Sequence, residues 1–199
     1  MKVHEMRVRI KFTQPILGSM PADEELYTKF IASKAPAEWL VDEEVENIPE
    51  VDYDKGVTVF PQDKQGIFLY NYHIKGFLKN AGNILKKQLK IKNLRNKLDD
   101  YLFIKERKIY LIRNGKIIQE EDGVLERPLR AMTMQGERVA LASSEVINPP
   151  AEAEFTIQLL EHKEITLDTI RELLDYGKFQ GIGQWRNGGF GQFEWEEIA

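Results

Sequence analysis

The sequence predicts an α+β fold in which helices cover one face of an antiparallel sheet, and three observations predict it. The N-terminal stretch "VHEMRVRIKF" alternates, with Val8, Ile10 and Phe12 on one side and Arg7, Arg9 and Lys11 on the other, which is the period of a half-buried strand. Two later segments carry apolar residues at the three-and-four spacing of amphipathic helices. The rest consists largely of short apolar runs separated by turn dipeptides, the signature of hairpins.

In chain order, the first strand ends at Pro15. Residues 17–66 read as an insertion lying over the main sheet: a short helix in "SMPADEELYTKFIASKA", an acidic segment, and a strand "GVTVF" closed by Pro61. "IFLYNYHIKGFLKNAGNILKKQLK" places Ile74, Phe77, Leu78, Ala81, Ile84, Leu85 and Leu89 on one helical face. Residues 105–145 form a hairpin region. Within it Asn114-Gly115 suits a type I′ turn, which needs positive φ twice, and a second hairpin turns near Gln135-Gly136. "NPPAEAEFTIQLLE" is a proline-led strand. Thr166 caps a helix over 166–176 with Gly177 just past its end, and "GFGQFEWEEI" is the last strand. Stripped of its additions this order is βαββαβ, a ferredoxin-like single domain spanning 1–199.

The chain of 199 residues is 42% hydrophobic, enough for one sizeable core. No apolar run is long enough for a membrane span, and the alternating N-terminus is no secretory signal, so a cytoplasmic protein with no membrane partner is expected. With no cysteine and three scattered histidines, neither a thiolate metal site nor a zinc site is expected, and no cofactor motif is present. The net charge of −4 is unevenly spread: eight bases and no acid lie between Lys75 and Lys97, whereas residues 41–54 hold seven acids and no base. Such asymmetry decides partners more than the total does, although lysines on a helix's polar face are also ordinary solvation.

The stretch "GIGQWRNGGFGQFE" puts five glycines into residues 181–194. A dinucleotide or P-loop motif needs its glycines after a strand and before a helix; here they follow a helix and precede a strand, and no GK[ST] is present. Two readings stay open. The glycines serve a tight crossover from helix to sheet, or they let backbone amides surround a phosphate while Trp185 and Arg186 supply a stacking plane and a bidentate donor, a combination suited to a ribonucleotide backbone.

"LLDYGKFQGIGQWRNGGFGQFEW" resembles the C-terminal glycine-rich signature of the RAMP superfamily, the repeat-associated RNA-binding proteins of CRISPR systems. "IKFTQPILGS" resembles that family's first strand and "IKGFLKNAG" the opening of its first core helix, so the likeness touches 7–19, 74–82 and 174–195 in the family's order. It implies an RRM-related fold that binds single-stranded RNA, in the manner of backbone subunits that coat a guide RNA as a filament, with self-association along RNA or contact with other RAMP-like subunits. Carried onto this chain it nominates Lys75, Lys79, Arg186 and the backbone of Gly181, Gly183, Gly188 and Gly189. The basic run adds Lys86 and Lys87, and the glycine loop adds Trp185. The chain is shorter and more acidic than such subunits commonly are, which also fits a phage-borne protein that joins or competes with a host complex.

Some members of the family cut guide precursors without metal, which requires a proton acceptor beside a cation. "YNYHIK" offers His73 with Tyr70, Tyr72 and Lys75, so His73 is the catalytic candidate for an endoribonuclease; the competing reading makes it a helix-start residue without chemistry. Asp23 is a weaker candidate, because an acid there also favours a helix start. A third reading keeps the fold without RNA and assigns the acidic segment to a basic protein partner.

Overall fold

The computed structural model describes residues 2–22, 56–133 and 136–199, and of residues 129–140 the backbone alone. The expected helix after Pro21, Asp23, the acidic segment 41–54 and the turn at Gln135 lie outside the described residues.

Two sheets form. In the main one, β1 (Val3–Phe12) lies between β12 (Glu152–Leu160) and β13 (Phe193–Glu197), antiparallel to both. On its other edge β12 pairs with β7 (Leu102–Ile104), again antiparallel. Helix α1 (Asn71–Leu85) precedes β7, and α3 (Leu167–Asp175) joins β12 to β13. The chain order β1, α1, β7, β12, α3, β13 with the spatial order β13-β1-β12-β7 is the ferredoxin-like βαββαβ arrangement, so the fold is α+β as expected.

The second core strand is broken. Leu102 to Ile104 oppose Leu159 to Ile157, and pairing resumes only where Leu111 and Ile112 of β8 (Lys108–Arg113) meet Ala153 and Glu152. The chain bulges between, and Glu106 fills the gap by accepting from both the Thr156 amide (2.7 Å) and its hydroxyl (2.8 Å). Beyond β8 lies β6 (Gly66–Tyr70) and then β5 (Gln62–Asp63). The hairpin from β8 to β9 (Lys116–Ile117) turns at Asn114-Gly115 with φ of 53° and 75°, the doubly positive geometry expected.

Helices α1, α2 (Leu94–Tyr101) and α3 cover one face of this sheet. Ile74, Phe77, Leu78 and Ala81 of α1, Leu94 and Leu98 of α2, and Ile170, Leu173 and Leu174 of α3 share a core with Val8, Ile10, Phe155 and Ile157. The opposite face is a ladder of charges: Arg9 reaches Glu154 (2.6 Å) and Glu196 (3.1 Å), Arg7 reaches Glu154 (3.0 Å), and Lys11 reaches Glu196 (3.0 Å). Cross-strand pairing thus absorbs the outward bases of the first strand.

A second sheet joins β10 (Gly123–Thr133), β11 (Gly136–Ile147), β4 (Val57–Val59) and β3 (Met20–Pro21), with β2 (Ile16–Leu17) paired to β11. Strand β6 joins the two cores, since Ile67 and Leu69 enter the main one while Phe68 and Tyr70 enter a smaller one with Met20, Val57 and Val59. This corrects the helical reading of its residues: "GIFLY" is buried on both faces, and a short apolar run buried on both sides has no strand alternation to display. Ile84 also leaves the expected apolar stripe, being 47% exposed. Thr166 caps α3 through its hydroxyl and the Thr169 amide. Gly177 lies in a 3₁₀ turn against the Phe193 ring, where a side chain would collide, so close packing explains this glycine.

Candidate RNA interface

The glycine loop is built by the chain's own contacts. The Ile182 amide donates to Gly191 O, Gln184 to Leu17 O (3.2 Å) and Gly191 to Pro15 O (2.8 Å), so the loop is bonded to the segment that follows β1. Gly183, at φ +93°, backs onto that segment, and a Cβ there would lie 2.6 Å from the Leu17 carbonyl oxygen. Gly181 is buried against Gly191. The amides of Gly188 and Gly189 close the 3₁₀ turn over 186–188 onto Trp185 O and Arg186 O. Those two donors are therefore spent within the loop.

Trp185 is also engaged. Its indole stacks on Phe190 (5.1 Å between centroids, 15° between planes), and the Arg127 guanidinium lies 4.6 Å from the ring centre. The residue as a whole is 40% exposed. Arg127 itself is buried, which depresses its pKa through lost solvation, and it has no carboxylate partner among the described residues. Arg186 is exposed and has no ion pair among the described residues.

Helix α1 meets the loop along one side. Asn80 donates to Gln180 Oε1 (2.5 Å), and Gln180 donates to Asn187 Oδ1 (3.5 Å), so a ladder of amides runs from the helix to the residue after Arg186. At the helix start, His73 Nδ1 accepts the Tyr70 amide (3.1 Å), which leaves the ring proton on Nε2, 3.1 Å from Ser19 Oγ. Both nitrogens of the catalytic candidate are therefore tied to the helix start and the turn before β3. Tyr72 lies 4.7 Å from the His73 ring and stacks on Tyr70 (5.3 Å).

The structure thus brings together segments far apart in sequence. Ser19 touches His73, Leu17 and Pro15 hold the glycine loop, Asn80 holds Gln180, and Phe77 packs on Phe193 (5.0 Å) beneath them. It does not unite all the lysines with this surface. Lys75 and Lys79 are both drawn to Asp99, at 3.5 and 2.6 Å, and together they hold its carboxyl below the usual range; Lys75 also lies over the Phe103 ring. Lys97 pairs with Glu164 (2.5 Å). Lys86 and Lys87 lie at the far end of α1, exposed, with Lys86 on Asn83 Oδ1 (3.0 Å).

Reading the sequence missed Asn80, Gln180, Asn187 and Phe179. Phe179 is 74% exposed beside the loop, and its position between Lys178 and Gln180, outside any apolar periodicity, was the available signal. Among the described residues no cluster of histidine or acidic side chains is placed to hold a metal ion, and no helix is long and apolar enough to cross a membrane.

No family model matches the sequence, and no curated protein matches it. Solved structures match in fold. A chain of the type III-B Cmr-beta complex bound to cognate target RNA aligns over 100% of this protein at 10% identity and a TM-score of 0.48, with this protein spanning 61% of that chain. A chain of a type IV-B CRISPR complex aligns over 98% of this protein and 91% of its own length, at 11% identity and a TM-score of 0.50, so this protein shares its fold with a subunit of a CRISPR complex.

Proposed function

We propose that this protein is a RAMP-like, RNA-binding subunit of a CRISPR-type ribonucleoprotein, holding a single strand across the surface formed by the start of α1, the turn after β1 and the glycine loop. The observation that carries the reading is the convergence itself: the three stretches that resemble the family meet in one place, through Leu17 with Gln184 and Asn80 with Gln180, while Ser19 reaches His73 just ahead of the second stretch. Arg186 supplies an uncommitted guanidinium for phosphate, Phe179 and the open edge of Trp185 supply aromatic surface, and the amide ladder supplies neutral donors. On the sheet's other face, among the described residues, the bases of β1 are already paired with Glu154 and Glu196. Fold likeness to complex subunits supports assembly with such partners, as analogy of fold.

Titration of a labelled single-stranded RNA in low salt tests the reading. Arg186→Ala should weaken binding about ten- to a hundredfold, the worth of one charged hydrogen bond, and should flatten the dependence of log K on log salt by about 0.7. Absence of RNA binding, or an Arg186→Ala variant that binds as the wild type does, would refute it.

A further inference from the structure

The run of eight bases divides in the fold. Lys75 and Lys79 share Asp99, and Lys97 pairs with Glu164. The other five, Lys86, Lys87, Lys90, Lys92 and Arg95, line one open cavity of about 630 Å³ between the end of α1 and the start of α2. All five are exposed, no acid lines the cavity, and among the described residues none of the five has an ion pair. Mutual repulsion would disperse such a set on an unconstrained surface. Here the backbone fixes it: Lys90 and Asn93 both adopt the left-handed conformation (φ 56° and 53°), and between and beside them Ile91 and Leu94 are anchored in the core.

The rest of the lining defines the ligand. Asn83, Asn93 and Asn96 place amides among the cations, and the first turn of α2 contributes the positive end of its dipole. Ile91 and Leu94, the apolar residues of the lining, are 8% and 0% exposed, so the apolar part of its surface comes mainly from the stems of the basic side chains, whose charged heads rim it. A dense set of cations and amides with no acid among them suits closely spaced phosphates. Asn80, which holds the glycine loop, and Asn83, which lines the cavity, stand three positions apart on α1, so the two surfaces lie along the same side of that helix at different heights.

We propose that this basin is a second phosphate-binding site, independent of the loop surface, that takes consecutive phosphates from either the backbone of an RNA strand or its phosphorylated end. The full-length protein is titrated with sodium tripolyphosphate by calorimetry, and with 5′-hydroxyl and 5′-triphosphate RNAs of about twelve nucleotides by anisotropy. The neutral variant Lys87→Gln/Lys90→Gln/Arg95→Gln, which removes only exposed charges and whose fold is checked by thermal melting, should bind tripolyphosphate at least about tenfold more weakly. In an Arg186→Ala background the same triple variant should lose the same factor in tripolyphosphate affinity, as independent sites require. Equal losses for the two RNAs would assign the site to the backbone, and a loss confined to the triphosphate would assign it to the strand end. The proposal is overturned if tripolyphosphate fails to bind the wild type, if the triple variant binds it unchanged, or if polyglutamate binds more tightly at the same salt. An unchanged RNA affinity in Arg186→Ala alone would remove the loop surface and leave the basin standing.

Discussion

His73 shows how one residue's role follows from where its two nitrogens point. A general base needs a lone pair aimed at substrate, but Nδ1 receives the Tyr70 amide and Nε2 faces Ser19. The histidine is best described as a cap on α1 that also secures the turn after β2. His73→Ala should therefore lower stability by about 1 kcal/mol, the usual worth of a cap or a neutral hydrogen bond, as read from chemical denaturation. Labelled RNA incubated with either protein should stay full length; cleavage by the wild type alone would return the residue to catalysis. Trp185 was legible as a loop aromatic, whereas its partner Arg127 was not, because nothing near residue 127 marks it as a neighbour of residue 185.

At the scale of elements, α1 carries most of the functional argument. Its apolar stripe was readable from spacing, and Ile74, Phe77, Leu78 and Ala81 are buried as that spacing requires. Its charges were less readable. The acid-free window that ends at Lys97 stops two residues short of Asp99, which binds Lys75 and Lys79 from the neighbouring helix. If those lysines serve RNA, Asp99 restrains them. Asp99→Asn removes a repelling charge and frees two cations, so RNA affinity should rise about three- to tenfold at low salt and the gain should shrink as salt is raised. An unchanged affinity would place Lys75 and Lys79 off the RNA path. The β6 strand shows the reverse limit: a short apolar run can belong to a strand or a helix, and only burial on both faces distinguishes them.

For the whole molecule, the two sheets are clasped where the end of β8 meets the loop leading into β10. Arg113 grips Asp122 with two bonds of 2.8 and 2.6 Å and also donates to Asn148 O and Pro150 O, while the Asn148 amide donates to Asp122. These bonds, the Arg113 guanidinium first, hold the Asp122 carboxyl below the usual carboxylate range despite partial burial. The depressed pKa sets the sign: the clasp contributes fully above the unfolded carboxylate's pKa near ~4 and is lost as pH falls through the lower folded value. Asp122→Asn should cost about 2 kcal/mol at neutral pH, and the gap from wild type should close in acid, followed by thermal melting from neutral pH downward. A constant gap would show that the ionised pair is not what stabilises the junction.

By itself the sequence determined the ferredoxin-like order of strands and helices, the apolar faces, the Asn114-Gly115 turn and the Thr166 cap, because each is written in neighbours a few residues apart. Tertiary structure decided that 16–17, 20–21 and 57–59 join β10 and β11 in a second sheet, that three distant stretches meet at the glycine loop, and which lysines are spent on acids and which line the basin. Those outcomes depend on contacts between residues separated by tens to nearly two hundred positions, such as Arg7 with Ala199 O. No local period encodes such pairs; the chain reaches them only when burial of the shared core brings its segments together.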